Sequence, residues 1–322
     1  MILDIPHQKL DFRSSMLVPS GPQMDEDEFQ KLEVVNTQAA TPSSITKLKI
    51  LDNLKRNLPT LHGMPEFKQI KSEPIALIGG GPSVSNYIEE IKGFKYTIAC
   101  GSAHDFCVKN NIIPTYATAC DPDPITANYL TKPQIWTKYL IASGCDKKVF
   151  DYLKGFSTYI WHCHSDDYMD MRAQMGGEYQ AVGGGCTVGL RSLSIALMLG
   201  YWDIHFYGFD SCMGDNLEHH AYDFSDETEE IGQIYTVRFG NEKNSFKEKD
   251  YKCAGYQLAQ ASHFKEFYSQ YCNVFKPTFH GDGLLPAMVR HIQNEEARLG
   301  LSKTNQMENL RGLLSQPEGT KI

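Results

Sequence analysis

A chain of 322 residues that is 41% hydrophobic is long enough to bury a sizeable core, as one large domain with extensions or as two domains. Its formal net charge of −8 gives no electrostatic footprint for a polyanion, which disfavours nucleic acid as a partner and favours a small molecule, a glycan or a protein. Its nine cysteines are odd in number and include no C-x-x-C pair, which argues against a zinc ribbon or a disulfide framework and predicts a reducing, cytoplasmic setting. No apolar run approaches the roughly 20 residues that span a bilayer, and no basic flank precedes an apolar stretch at the start, so a soluble, unsecreted protein is expected.

Residues 1–44 mix Pro, Ser and Gln with the acidic run Asp25-Glu26-Asp27-Glu28 and show little periodicity, which predicts an irregular arm. From Ser44, a good N-cap, the residues Ile45, Leu48, Leu51 and Leu54 predict an amphipathic helix that stops near Pro59. The body, 45–300, then alternates short aliphatic runs with glycine or polar turns and helix-like sequence. The runs are Ile75–Ile78, Tyr96–Ala99, Thr115–Ala119, Tyr139–Ala142, Tyr159–His162 and Ile204–Tyr207, a pattern that predicts an α/β fold with a doubly wound, mainly parallel sheet. Thr187–Leu199 is apolar almost all round and ends at Gly200, as a central helix against that sheet would. From about 211 to 252 the chain turns polar around one strand candidate, Tyr235–Phe239, and is expected to form an insertion or lid over the strand ends. A helix over Ala254–Tyr271, a strand over Asn273–Phe275 and a charged helix over Pro286–Leu299 close the body, and 301–322 is expected to be a loose tail.

Ligands of open α/β sheets bind outside the carboxyl ends of the strands, so the residues after each run carry the chemistry. Gly79-Gly80-Gly81-Pro82-Ser83 follows the first run as a phosphate-binding turn would: glycine lets backbone approach a phosphate, and Pro82 suits the first turn of a helix. Gly101 and Ser102 leave room for a nucleotide at the next turn. Gly184, Gly185 and Thr187 form a second glycine-rich helix entry, which either supplies N–H groups and a hydroxyl to an anion or only permits close helix–strand packing. Asp121 and Asp123, at i and i+2, suit Mg²⁺ beside a diphosphate, although an Asp-Pro pair also starts turns for backbone reasons alone. His162 and His164 suit a metal, a general base or a hydrogen-bonded pair at a strand end. His219 and His220, in the polar insertion after Asp210, have little packing reason to be there and are candidates for acid–base work.

In these motifs the chain resembles the MptE-like family, which includes archaeal 6-hydroxymethylpterin diphosphokinases and the motility accessory factor proteins that glycosylate flagellin. The resemblance runs from about Asn57 to about Pro286 through Gly79–Ser83, Pro114–Asp121, Gly184-Gly185-Cys186-Thr187-Val188 and Tyr207-Gly208-Phe209-Asp210, and His219-His220-Ala221 is similar to a Ser-His-Ala stretch of the flagellin-modifying branch. More distantly, Gly79–Ser83 and Gly200-Tyr201 before Ile204 are similar to turns of bacterial sialyltransferases that use CMP-activated sugars. The resemblance implies a Rossmann-like, nucleotide-binding transferase. In it Gly79–Ser83 would meet the nucleotide, Asp121 the phosphate or its metal, and Asp210 with the histidines the acceptor. A glycosyltransferase using a CMP- or UDP-activated sugar is the first expectation. An ATP- and Mg²⁺-dependent pyrophosphokinase acting on a pterin-like molecule is the second, and a non-catalytic nucleotide-binding protein the third.

Overall fold

The computed structural model describes residues 18–19, 44–57, 62–63, 69–163, 181–222, 234–241, 246–301 and 305–315. Ile75, Ala76, Leu77 and Ile78 are all fully buried, which a four-residue strand achieves only when both faces of its sheet are covered. They form β3, third in chain order after two two-residue strands, β1 (Val18–Pro19) and β2 (His62–Gly63). β4 (Tyr96–Cys100), β5 (Tyr116–Ala119), β6 (Lys138–Ala142), β7 (Thr158–Cys163), β8 (Ala181–Val182), β9 (Asp203–Tyr207) and β12 (Lys276–Phe279) join it. The main sheet runs β12-β9-β3-β4-β5-β6-β7-β2, with β8 also on β7, and its pairings are all parallel. This is the Rossmann-like, doubly wound α/β arrangement expected. The chain steps outward from β3 to β7 and then returns to lay β9 on the other side of β3, so the order reverses between β3 and β9.

The returning crossover is α5 (Val188–Met198), which packs against β3, β4 and β5. Thr187 caps it through Leu190 N, and Gly200, at φ +89°, ends it. The other helices of the body are α1 (Ser44–Asn57), α2 (Ile88–Lys92), α3 (Ala103–Lys109), α4 (Lys147–Tyr152), α6 (Gly255–Tyr271) and α7 (Leu284–Arg298). Among the described residues no helix is long and apolar enough to cross a membrane.

The first helix is turned differently from its leucine pattern. Leu48 is 64% exposed, whereas Ile50, Asn53, Leu54 and Asn57 are buried, a face of i, i+3, i+4, i+7 spacing. The asparagines choose that face. Asn53 Nδ2 donates to Pro122 O and Gly144 O, and Asn57 Nδ2 donates to Ser143 O and Cys145 O. Helix α1 therefore lies across the carboxyl ends of β5 and β6.

Residues 211–252 hold more structure than one strand. β10 (Ile234–Asn241) and β11 (Phe246–Ala254) form an antiparallel hairpin, with β1 on its outer edge. Val237, Phe239, Tyr251 and Cys253 alternate inward and are buried, so the hairpin joins the core; the charges of Lys247, Lys249 and Asp250 hide β11 from a hydrophobic pattern. The last strand begins at Lys276 rather than Asn273, because Val274 N donates to Tyr271 O in a turn that finishes α6. The expected loose tail contains α8 (Gln306–Leu314), which buries Leu310 and donates from Gln306 to Cys272 O and Phe275 O and from Asn309 to Asn273 O. These anchors are polar, so apolar periodicity does not reveal them. Most of the 1–44 arm, and His164, lie outside the described residues.

Asn57→Ala would leave two buried carbonyls without a donor and is expected to destabilise the protein by about 1–3 kcal/mol, read as a lower urea midpoint with unchanged slope.

Candidate functional site

The carboxyl ends of β9, β3 and β4 meet where the strand order reverses, the position at which open α/β sheets bind ligands. A cleft of about 150 Å³ opens there, lined by the turns after those three strands, the start of α5 and the first turns of α6. Whole-ligand pockets begin at roughly 300 Å³, so the enclosed part suits a phosphate with its nearest groups rather than a complete nucleotide-sugar.

The glycine turn is shaped by the loop beside it. Gly79 N donates to Tyr207 O at 2.7 Å and Gly81 N to Gly208 O at 2.9 Å, so the turn after β3 is laced to the turn after β9. A Cβ on Gly79 would lie 2.6 Å from Gly208 O, and one on Gly81 would lie 2.5 Å from Asp210 Oδ2, so neither position has room for a side chain. Glycine is needed here for backbone-to-backbone contact. Of the three, only Gly80 keeps an N–H without a backbone carbonyl partner among the described residues.

Asp210 completes the lacing. It is 4% exposed and accepts the Ser83 N–H at 2.9 Å on Oδ2, while Gly281 and Gly283 leave space for its carboxylate and backbone. Burial pushes its carboxyl above the ordinary value, against the opposing hydrogen bonds from Ser83. Asp210 thus positions the glycine turn rather than reaching out into the cleft.

His219 and His220 both line the cleft, with ring centroids 4.2 Å apart. The segment carrying them folds down onto the glycine turn: Ala221 N donates to Gly80 O at 2.9 Å, and His220 Nδ1 lies 3.3 Å from the same carbonyl. That contact makes Nδ1 the protonated nitrogen and Nε2 the basic one. Tyr222 stacks on Phe106 and donates to Ser102 Oγ, tying the histidine segment to the turn after β4. Burial holds the lining thiols of Cys100 and Cys212 protonated, with pKa values pushed up to about 12 and about 11, so they act as small apolar groups.

On the far wall, Thr187, Val188 and Gly189 present the first turn of α5, where helix N–H groups lack intrahelical partners. Gln260 joins this wall to the turn after β9, accepting from Ser211 Oγ at 2.8 Å and donating to Thr187 Oγ1 at 3.1 Å. Ser211 is buried at φ +51°, a left-handed conformation that costs a non-glycine residue roughly 1–2 kcal/mol. Tyr256, Gln257 and Gln260 sit in a helix whose aromatic residues mark it as core in the sequence. Their signal is a polar first turn, Tyr256-Gln257 with Gln260 one turn on, directly after a strand.

The remaining candidates lie elsewhere. Pro82 starts the 3₁₀ turn Pro82–Tyr87 behind the cleft. Gly101, at φ +54°, shapes the turn from β4 into α3 without lining the cleft. Gly184 and Gly185 have φ of +108° and +103° and pack against Leu190, so the second glycine run serves helix packing and only Thr187 reaches the cleft. Asp123 caps the 3₁₀ turn Pro124–Tyr129 through Ile125 N and pairs with Lys49, while Asp121 accepts from Asp123 N. His162 is buried and bonded to Ser143 Oγ at 2.6 Å. All three of these belong to the half of the edge beneath or beside α1.

Residues 49–216 match the family described as 6-hydroxymethylpterin diphosphokinase MptE-like. The chain belongs to the MptE-like family. No curated protein matches this MptE-like chain in sequence. Among solved structures it is similar to the MAf glycosyltransferase of Magnetospirillum magneticum AMB-1, with 15% identity and a TM-score of 0.53 over 78% of this chain; it spans only 41% of that enzyme. A mammalian sialyltransferase in complex with Gal-beta-1-3GalNAc-ortho-nitrophenol matches at 9% identity and a TM-score of 0.38, over 83% of this chain and 89% of that one.

Because the folded protein holds the Asp210 proton more tightly than the unfolded chain, this group's stabilising contribution is full below the ordinary carboxylate range and is lost as pH rises through the raised value. Asp210→Asn keeps an acceptor for Ser83 N–H. Its melting temperature is therefore expected to rise relative to wild type as pH increases above the ordinary carboxylate value of about 4. A difference that stays flat with pH would contradict the assignment.

Proposed function

We propose that this MptE-like protein is a nucleotide-dependent transferase, and specifically a glycosyltransferase that takes its sugar from a nucleotide-activated donor. The observation that carries the proposal is the meeting of the Gly79–Ser83 turn, the first turn of α5 and His220 in one cleft at the strand-order reversal. Backbone N–H groups at Gly80 and at the start of α5 would hold the phosphate. No Lys or Arg lines this cleft among the described residues, so the site offers dipoles and imidazoles rather than full positive charges. Such a site suits the single phosphate of a CMP-activated sugar better than a nucleoside diphosphate.

His220 would supply the proton chemistry. With Nδ1–H directed at Gly80 O, Nε2 is the nitrogen that accepts the proton of an attacking acceptor hydroxyl as its oxygen bonds the sugar carbon and the bond to phosphate breaks. His219, beside it, would meet the charge left on the departing phosphate. The acceptor, small molecule, glycan or protein, would enter from the side of residues 211–222.

The alternative, Mg²⁺-dependent pyrophosphoryl transfer to a pterin-like molecule, draws support from the family's description. Its expected metal ligands do not fit: Asp123 is taken by Lys49 and its own turn, both aspartates lie off the cleft, and the described residues hold no cluster of three metal-ligating side chains.

CMP is expected to raise the melting temperature more than UDP, GDP or ATP, without Mg²⁺. Release of CMP from a CMP-activated sugar acid is expected to fall about 10²-fold or more in His220→Gln while the CMP shift persists. Stabilisation by ATP with Mg²⁺ alone would favour the pyrophosphokinase, and binding without turnover a non-catalytic role.

A further inference from the structure

The edge of the sheet opposite the cleft carries a second feature. Ile113, in the loop entering β5, is 55% exposed; Ile135 and Trp136, in the loop entering β6, are 72% and 77% exposed. The loops run side by side, since Thr137 Oγ1 donates to Pro114 O at 2.7 Å and Lys138 N to Thr115 O at 3.0 Å. These three side chains therefore form one apolar patch.

The patch does not arise from a loose loop. Thr131 N and Lys132 N donate to the Asp105 carboxylate, Gln134 N donates to Tyr139 OH at 2.6 Å, and Thr137 N closes back onto Gln134 O. A well-braced loop holds a tryptophan and an isoleucine in water, whereas Trp161, on the neighbouring strand, is fully buried with its indole N–H on Leu140 O. Apolar groups held out in this way mark interaction surfaces.

Charge narrows the partner. Lys109, Lys132 and Lys138 surround the patch, are exposed, and have no ion pair among the described residues. Asp105, the carboxylate between them, is spent on the Thr131 and Lys132 amides and on His104. A chain of net charge −8 thus presents a locally basic, apolar-tipped face. A second copy would set lysines against lysines. A protruding patch also lacks the concavity that receives a peptide.

We infer that this amino-terminal edge of the sheet docks on an anionic lipid bilayer, with Trp136 at headgroup depth, Ile113 and Ile135 in the acyl boundary, and the three lysines on lipid phosphates. β5 and β6 are four and five residues long, which places the patch about 15 Å or more from the carboxyl edge and leaves the cleft open to solvent when the protein is docked. The inference does not depend on what the cleft binds.

Flotation of the full chain with phosphatidylcholine vesicles, with and without phosphatidylglycerol, tests it, together with tryptophan emission. Wild type is expected to float with the anionic vesicles at low ionic strength, to shift its emission to the blue, and to release in high salt. Binding is expected to weaken about fivefold for each lysine removed, and by more in Lys132→Glu/Lys138→Glu. Trp136→Ser is expected to abolish the emission shift with the melting temperature unchanged. Failure of wild type to float, equal flotation with neutral vesicles, or wild-type flotation by both variants would overturn the inference. A concentration-dependent dimer in sedimentation that Trp136→Ser disperses would also overturn it, assigning the face to a second copy.

Discussion

The site depends on one contact, the lacing of the turn after β3 to the turn after β9. Gly79 and Gly81 give their N–H groups to Tyr207 and Gly208, and Asp210 takes the N–H of Ser83. Two backbone turns approach this closely only where neither carries a side chain, and Gly208 itself needs φ of +68° to turn its carbonyl into the contact. Pulling the turns together closes the floor of the crevice between two diverging chain directions. What stays open is a narrow space over Gly80, walled by α5 and α6 and covered by His219 and His220.

The rest of the carboxyl edge is treated differently. Asn53 and Asn57 of α1 satisfy four carbonyls in the turns after β5 and β6. The aspartates and His162, which look like site residues when strand ends are read one by one, sit in this second half and are engaged by their own turn, by Lys49 of α1 and by Ser143. One edge of one sheet is thus divided into an open, glycine-rich half and a half sealed by a helix.

Much of this was legible in the sequence. The six aliphatic runs gave the parallel sheet because strands buried on both faces must be apolar at every position, and Ile75–Ile78 is fully buried as that rule requires. Gly79–Gly81, Ser102, Thr187, Asp210, His219 and His220 do meet in one cleft. Long-range polar bonds were not legible. Nothing in the spacing of α1 says that Asn53 and Asn57, rather than Leu48 and Leu51, choose its buried face, and nothing local distinguishes Asp123 as a cap from Asp123 as a metal ligand. Gln260 was hidden for the same reason, since its partners Ser211 and Thr187 are distant in sequence. The hairpin strand β11 was hidden by the charged residues that interrupt it, Lys249, Asp250 and Lys252 among them.

Hydrogen exchange of the backbone amides, with and without CMP, tests the central claim most directly. If the crevice over Gly80 takes the nucleotide, as proposed, exchange should slow at Gly79–Ser83 and at 217–222 and stay unchanged at Asp121–Asp123 and Ser143–Cys145. Slowing centred on Asp121, or none at the glycine turn under saturating nucleotide, would contradict the account.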